Sequence, residues 1–261
     1  SLGFGINLQY IDLELSQAAN FGAFTGAPQQ NDGRVRLTAD DWSWGYNLGM
    51  TYQFTEATRL GISYRSKITH DLTGDGEFRI PENFSAAAAA SGIRDGNIGG
   101  RVTLPESASI ALIHQLNSQW SVMADASWTR WSRFEELRIN SDVRSLNSVK
   151  EEDWENSMRY GLGVEYKAND RWSWRAGVAY DETPIPNAQR RTPRIPDSDR
   201  TWLALGASYH YSENIILDAA YSHIFMKDTS IDDTDSNGNQ LLGSYKNSVD
   251  IVGVQLRWLF D

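Results

Sequence analysis

Large apolar residues occupy every second position in about ten segments of this 261-residue chain. Residues 171–182 carry Trp172, Trp174 and Tyr180 on one parity, and charged or small residues on the other. This alternation is typical of β-strands with one apolar and one polar face. Strands of roughly 11–14 residues exceed the soluble average of about 5–6 and suit tilted segments that cross a membrane. The predicted strands are 2–15, 42–54, 58–72, 102–116, 120–134, 156–167, 171–182, 200–211, 214–227 and 247–260.

Connections between the predicted strands alternate between short turns and long loops. Outer-membrane barrels have this layout, with short turns at one end and long loops at the other. The polar parity also carries too many charges for a packed core. The pattern therefore predicts an all-β fold, a transmembrane antiparallel up-and-down β-barrel of about ten strands over residues 1–261, with its apolar parity toward lipid. The alternative is a soluble all-β propeller or sandwich.

Composition and spacing argue against several function classes. The chain has no cysteine, which disfavours a disulfide scaffold or a Cys-based metal site, and its net charge of -10 disfavours a nucleic-acid partner. It has no run of about 18 apolar residues, so no transmembrane helix is predicted. The four histidines lie on different predicted strands, without the motif of a barrel protease or lipase. No enzymatic activity is predicted.

The run at 159–209 combines D-x-x-P-x-P with R-x-P-x-I-P-D-x-D-R-x-W and leads into an alternating strand. Together with WSWGYNLGMTYQF, LPESASIAL and WTRWSRFEEL, it resembles the FadL-type outer-membrane transporters of long-chain fatty acids and other hydrophobic compounds. The resemblance covers essentially the whole chain and implies the C-terminal ten strands of a fourteen-stranded barrel. Relatives carry an N-terminal plug and about four further strands, which are expected to be absent from this chain.

The resemblance implies a bacterial outer-membrane uptake channel for hydrophobic small molecules, either long-chain fatty acids or hydrocarbons and aromatics. Substrate is captured in a groove between two extracellular loops, binds in an interior pocket and leaves laterally, without catalysis or an energy source. The expected partners are the substrate, outer-membrane lipid and lipopolysaccharide, and the protein is expected to be a monomer without a cofactor. A water-filled or structural barrel with surface-contact loops is the alternative.

Two long loops match the groove-forming loops of the family in position and character. The first is expected to expose Phe21 and Phe24. The second reads as a short helix over about 81–92, with Phe84 and Ile93 on its apolar face. Apolar surface exposed on polar loops predicts a substrate-binding groove. The alternative is that both loops fold over the barrel mouth.

Basic residues are the candidates for binding a carboxylate head group. Lys150 lies where relatives place a pocket lysine, and Arg159 is the second candidate, followed by Arg175 and Arg65 on the predicted lumen parity. Facing charges in a barrel more often form a structural ladder that braces the wall. Relatives also carry a basic residue at the end of the strand at 2–15, where this chain has none, which leaves room for an uncharged hydrocarbon or aromatic substrate.

The last long loop contains D-x-D-x-N-G, formed by Asp233, Asp235, Asn237 and Gly238. This is the spacing that begins an EF-hand calcium loop, but the twelfth position is Ser244 and not the bidentate glutamate that completes such a site. The motif predicts at most a weak calcium site. An acidic, solvated turn is the alternative.

Overall fold

The computed structural model describes residues 1–27, 30–235 and 238–260, and at positions 23 and 24 only the backbone. This part of the chain is mostly β-structure, with one short α-helix, α1 (Ser85–Ala90). Across the same ranges, no helix has the length and apolar character needed to cross a membrane. The strands are β1 (Leu2–Ala19), β2 (Gly33–Thr55), β3 (Thr58–Arg65), β4 (Ile68–Arg79), β5 (Gly96–Leu104), β6 (Ser107–Gln115), β7 (Trp120–Thr129), β8 (Glu136–Asn140), β9 (Ser148–Glu151), β10 (Ser157–Lys167), β11 (Trp172–Asp181), β12 (Arg200–His210), β13 (Ile215–Met226), β14 (Thr229–Thr234), β15 (Gln240–Tyr245) and β16 (Ser248–Trp258).

One antiparallel sheet of 14 strands forms the barrel wall. In that sheet β3 continues into β4 and β5 into β6, and β8 and β9 belong to a loop, which leaves ten chain passages in up-and-down order. The predicted all-β fold and its ten strands are therefore confirmed. Among the described residues, β1 pairs only with β2, and β16 pairs only with β13. Strands β1 and β16 are therefore the two edges of the barrel wall. Strands β14 and β15 form a separate hairpin in the last long loop.

The apolar parity of the strands lies on the outer surface, as predicted. Leu8 and Trp44 are direct neighbours across the β1–β2 ladder, and they are 70% and 67% exposed. Aromatic pairs mark both rims of this outer surface, which is the usual arrangement at membrane–water boundaries. At the short-turn rim Trp120 stacks on Tyr166 with ring centroids 4.5 Å apart, and at the loop rim Tyr10 lies 5.0 Å from Trp42.

Strands β2, β4 and β5 extend beyond the predicted limits into segments that were expected to be loops. The predicted loops at 16–41 and 73–101 contain the first third of β2, the end of β4 and the beginning of β5. The extension of β2 still alternates, but its apolar residues Val35, Leu37 and Ala39 lie on the opposite parity from those of the membrane-spanning part. The extensions of β4 and β5 keep the parity, but they are rich in glycine and charged or polar residues and so show little apolar alternation.

The β2 strand changes its partner from β3 to β4 partway along its length. Residues 47–55 pair with β3 and residues 34–40 pair with β4, while 41–46 face 66–72 without a regular ladder. Because the segment 66–72 is one residue longer than 41–46, the interruption acts as a β-bulge. It reverses which side chains face the lumen between β3 and β4. Even-numbered residues of β3 therefore face outward, whereas those of β4 face inward.

Candidate functional site

The apolar face of β1 changes sides between Tyr10 and Ile11. Up to Tyr10 the apolar side chains are even-numbered and exposed on the outer surface. From Ile11 to Leu15 they are odd-numbered and point to the lumen, where Ile11 and Leu13 pack on a buried cluster. The ladder to β2 runs without interruption from Leu2 to Ala19, so no bulge causes this change. The change arises from the sequence alone, in which the apolar residues shift from even to odd positions.

An apolar cluster, here called the chamber, fills the interior of the loop end of the barrel where these inward-facing residues meet, and leaves a free volume of about 20 Å³. Strand β2 shows the same change as β1, with odd-numbered apolar residues before position 40 and even-numbered ones after position 41. A narrow crevice between β1, β2, β4, β5 and β8 runs along the chamber. The buried residues of the chamber are Ala39, Leu72, Ile98, Val143 and Leu146, and Ile11, Leu13, Val35, Leu37, Phe78, Val102 and Ile139 pack against them.

The roof of the chamber is a turn of 3-10 helix in the loop between β8 and β9. Val143 and Leu146 from this turn are each 3% exposed. Glycines in the wall permit their close approach. A Cβ atom at Gly76 would lie 2.7 Å from Leu146 Cδ2, and one at Gly96 would lie 2.4 Å from Val143 Cγ2. The roof therefore packs directly onto the backbone of β4 and β5.

Polar groups line the floor of the chamber, toward the middle of the membrane. The His70 side chain is completely buried, and its Nδ1 lies 3.0 Å from Asp41 Oδ2. Its Nε2 lies 3.4 Å from Gln9 Oε1. Because all three residues point inward, the chamber ends at a hydrogen-bonded layer, below which the lumen is lined by charges.

The two loops that were predicted to form an exposed groove pack against each other. Phe21 is 2% exposed and Phe84 is 5% exposed, with ring centroids 6.1 Å apart. Ala88 from α1 completes this cluster, and Ile93 packs on its edge. The expectation that Phe21 and Phe84 are exposed is therefore wrong, because the two loops bury their apolar faces in one contact. The side chain of Phe24 lies outside the described residues.

Charged residues of the lumen form a structural ladder of ion pairs between neighbouring strands. Arg159 Nη1 donates to Asp125 Oδ1 at 2.9 Å, between β10 and β7, and the Arg159 guanidinium carbon lies 6.0 Å from the Trp202 ring. Arg175 Nε donates to Glu165 Oε2 at 2.6 Å, and its Nη1 donates to Ser208 Oγ at 2.8 Å. The predicted basic residues therefore face the lumen, but acidic partners on neighbouring strands hold them.

The ladder continues across the last two wall strands. Ser208 Oγ donates to Asp218, which also accepts from Arg257 Nε at 2.7 Å and Arg257 Nη2 at 3.0 Å. Arg65 differs from these residues, since within the described ranges no hydrogen bond or ion pair engages its exposed guanidinium. The ladder is therefore continuous from β10 to β16 and does not include Arg65.

Lys150 lies on β9, above the lumen, and its ammonium group forms an ion pair with Asp233 of the β14–β15 hairpin. Nearby, the carboxyl group of Glu152 accepts a hydrogen bond from Trp154 Nε1 at 3.2 Å, and Glu152 is 4% exposed. Burial raises the pKa of Glu152, although the Trp154 hydrogen bond and the Lys150 charge oppose this shift. Lys150 thus joins the loop before β10 to the last long loop.

The contacts of the last long loop do not favour a calcium site. Asp233 is engaged by Lys150. Asp235 closes its own turn, with its carboxylate accepting from Asn239 N at 2.9 Å and Asn239 Nδ2 at 2.8 Å. Asn237 lies outside the described residues. Within the described residues there is no group of three or more His, Cys, Asp or Glu placed to hold a metal ion. Calcium binding stays a prediction without support from this geometry.

The chamber residues were not among the candidates chosen from the sequence, although the sequence contains a signal for them. In 2–15 the apolar residues shift from even to odd positions, and in 34–54 they shift from odd to even. A shift of parity within a single strand means that the strand leaves one apolar environment and borders another on its opposite face. Two adjacent strands with the shift at the same height indicate an interior apolar compartment.

Comparison with known proteins agrees with this architecture. The family described as outer membrane protein transport protein (OMPP1/FadL/TodX) matches residues 1–260. A putative outer membrane protein of Neisseria meningitidis is 31% identical over 259 residues, covering 92% of this chain and 55% of the relative. A long-chain fatty acid transport protein of Escherichia coli is 33% identical over 197 residues, covering 72% and 44%. The chain thus spans about half the length of these curated relatives.

A solved structure of a Pseudomonas aeruginosa FadL homologue superimposes with a TM-score of 0.88 at 28% identity, covering 98% of this chain and 64% of that chain. This similarity confirms the barrel fold. The family match and the relatives confirm the predicted location in the bacterial outer membrane. The chain belongs to the OMPP1/FadL/TodX family of outer membrane transport proteins.

Proposed function

We propose that this chain forms part of a passive uptake route for hydrophobic small molecules, long-chain fatty acids or hydrocarbons and aromatics, across the outer membrane. The apolar chamber carries the proposal, because it lies in a lumen whose other walls bear ion pairs. A channel for hydrophilic solutes has no need of buried leucine and isoleucine on its inner face. Burial of apolar surface contributes roughly 25 cal/mol per Å², which is sufficient to retain a small hydrocarbon without any charged contact.

Capture takes place at the paired loops above the chamber. Phe21 and Phe84 close one apolar cluster, and Ile93 lies at its edge. An incoming apolar molecule replaces part of this contact and so gains burial without leaving either ring in water. Phe24, in the same loop as Phe21, is proposed as part of the capture surface.

From the loops the molecule moves into the chamber and then leaves laterally through the barrel wall, without catalysis. When the substrate carries a carboxylate, Lys150 and Arg159 are the groups that we propose to orient it, with Arg175 and Arg65 lining the lumen beyond. The Arg159 guanidinium next to Trp202 offers a charged and an apolar contact side by side. The proposed route needs no energy source, since the gradient of the substrate drives it.

The test is influx into proteoliposomes that contain the full-length protein. Radiolabelled oleate and toluene are compared with a hydrophilic sugar of similar size to toluene. The proposal predicts that at least one hydrophobic solute enters faster than into protein-free liposomes, with a rate that saturates, while the sugar does not. Entry of the sugar at a rate that rises linearly with its concentration would identify a water-filled channel instead.

A further inference from the structure

A cleft opens on the outer, lipid-facing surface of the wall where β2 changes its partner from β3 to β4. Only a few bonds cross it, among them Ser66 N to Tyr46 O at 2.8 Å and Ser43 Oγ to Thr69 O at 2.7 Å. The cleft is an open concavity and not a closed cavity of the lumen. It is lined by Ser43, Trp44, Gly45, Tyr46, Tyr64, Ser66, Lys67, Thr69, Glu106 and Arg133.

Aromatic side chains form the membrane-facing walls of this cleft. Trp44 is 67% exposed on the outer surface, and the Tyr46 and Tyr64 rings are neighbours with centroids 6.1 Å apart. All three are on the outward parity of β2 and β3. Trp44 is the next outward residue of β2 after Trp42 of the loop rim, whereas Tyr46 and Tyr64 lie further toward the short turns. Because amphipathic rings at such a rim lie at the level of lipid head groups, the upper end of the cleft is close to the head groups of the outer leaflet.

Two arginines bind a single carboxylate at the upper edge of the cleft, and an exposed lysine lines the same cleft. Arg133 binds Glu106 through two contacts, Nη2 to Oε1 at 2.8 Å and Nε to Oε2 at 3.1 Å. Arg130 Nη1 donates to the same Oε1 at 3.2 Å. Glu106 is 6% exposed, and its carboxylate holds the two guanidinium groups in place. Lys67 is exposed, and no ion pair engages it within the described ranges.

The arrangement leaves an excess of positive charge on the outer face of the wall. Each guanidinium group has N–H donors beyond those used by Glu106, and such donors bind phosphate oxygens by charge-assisted hydrogen bonds. Basic clusters next to a membrane attract anionic lipid head groups. Lipid tails cover the outer wall below the cleft, and the aromatic walls suit the glycan or acyl part of a bound lipid.

We propose that Lys67, Arg130 and Arg133 form a binding site for the phosphorylated head group of a glycolipid of the outer leaflet, the lipid part of lipopolysaccharide. Trp44, Tyr46 and Tyr64 hold the remainder of that lipid in the cleft. The site lies outside the barrel and is separate from the uptake route. It rests on the location of the protein in the outer membrane and does not depend on which solute the protein transports.

The test measures binding of purified lipid A with two phosphates to the full-length protein in detergent, by native mass spectrometry and by quenching of tryptophan fluorescence. Lys67→Gln and Arg133→Gln are each expected to weaken binding about tenfold, the effect of losing one charge-assisted hydrogen bond. Lys67→Gln is the decisive variant, because Lys67 is exposed and its removal breaks no ion pair in the described structure. Arg101→Gln is the matched control, since Arg101 is an exposed cation paired with Asp71 on the outer face of β5.

Four results would overturn the assignment. Equal affinity of Lys67→Gln and wild type would show that the cleft does not recognise the lipid. An equal loss for Arg101→Gln would mean that overall charge, and not this site, attracts it. Equal binding of dephosphorylated lipid A, or full displacement of lipid A by millimolar inorganic phosphate, would exclude a phosphorylated lipid as the specific ligand.

Discussion

Leu13 pairs with Ala39 across the β1–β2 ladder, and both side chains face the lumen. Five residues earlier on β1, Leu8 pairs with Trp44, and both of those side chains face lipid. The same two strands thus border two apolar environments, the membrane on one side and the chamber on the other. This relationship links the outer-membrane fold to the proposed uptake of hydrophobic molecules.

The close approach of β4 to β2 depends on Gly74. A Cβ atom at this position would lie 1.9 Å from Thr38 O and 2.6 Å from Ala39 Cα, which are backbone atoms that cannot rotate away. Gly74→Ala is expected to destabilise the folded barrel by on the order of 2 kcal/mol. The measurement is the temperature at which the folded band disappears on a gel run without boiling.

Gly99→Ala is the matched control for this substitution. A Cβ atom at Gly99 would meet its nearest heavy atom, Leu72 O, at 3.6 Å, an ordinary van der Waals contact. The control should melt like the wild type. If both variants melt at the same temperature as the wild type, the spacing of β2 and β4 at Gly74 is not as tight as the structure indicates.

The lumen ladder is expected to stabilise the wall without contributing to uptake. Asp218→Asn removes the negative charge and one of the two oxygens that accept from Arg257 and Ser208, and it weakens the partner of two guanidinium groups. We expect a loss on the order of 2 kcal/mol in stability and no change in the rate of hydrophobic influx. Asp170→Asn, in an exposed turn, is the control. A large fall in influx with unchanged stability would show that Asp218 takes part in uptake and does not stabilise the wall.

The raised pKa of Glu152 predicts a pH dependence for the loop between β8 and β10. Because burial raises this pKa in the folded state, the charged form is unfavourable there. The contribution to stability is complete below the ordinary glutamate pKa and is lost as the pH rises through the folded value. After correction for the intrinsic pH dependence of amide exchange, the protection of residues 143–154 should therefore be greater at pH 4 than at pH 7.

Glu152→Gln should remove this dependence and raise the protection at pH 7 toward the value at pH 4. Glu155→Gln, an exposed position nearby, should leave the dependence as in the wild type. The charged groups facing Glu152 are Lys150, Asp233 and Arg194. If exchange in Glu152→Gln still changes with pH as in the wild type, one of these groups, and not Glu152, is responsible.

Contact between the capture loops is expected to set the affinity for substrate. Phe84→Ser removes one ring of the Phe21–Phe84 pair and opens the cluster to water. The concentration for half-maximal influx should rise severalfold, while the maximal rate changes little, because the chamber below is unaltered. Glu82→Gln, exposed in the same short 3-10 helix, should behave as the wild type. An unchanged half-maximal concentration in Phe84→Ser would argue against capture at these loops.

Much of the wall was predictable from the sequence, because one rule governs it. Alternating residues such as those of 171–182 have one physical solution in a membrane, with the apolar side outward. Strands β11 (Trp172–Asp181) and β12 (Arg200–His210) begin and end within two residues of their predicted limits. The limits failed at β2 (Gly33–Thr55), where the apolar parity changes and the rule of one apolar face no longer applies.

The functional contacts were harder to predict, since they join distant parts of the chain. Lys150, a candidate head-group cation, pairs with Asp233, a candidate calcium ligand 83 residues away. The sequence around each residue gives no indication that the two are in contact. Likewise, the apolar faces around Phe21 and Phe84 were visible, but not that each one covers the other. Such pairings depend on loop geometry that alternation does not encode.

The most direct test of the account is hydrophobic influx through the full-length protein with the chamber made polar. Leu72→Asn places an amide at a wall position that is 5% exposed and lies within the apolar cluster of the chamber. An unpaired buried amide costs about 1–3 kcal/mol, so binding of an apolar molecule there should weaken about tenfold. Thr73→Asn, on the exposed side of the same strand, is the control. The account predicts about tenfold slower influx at low oleate or toluene concentration for Leu72→Asn alone, whereas equal influx through both folded variants would contradict it.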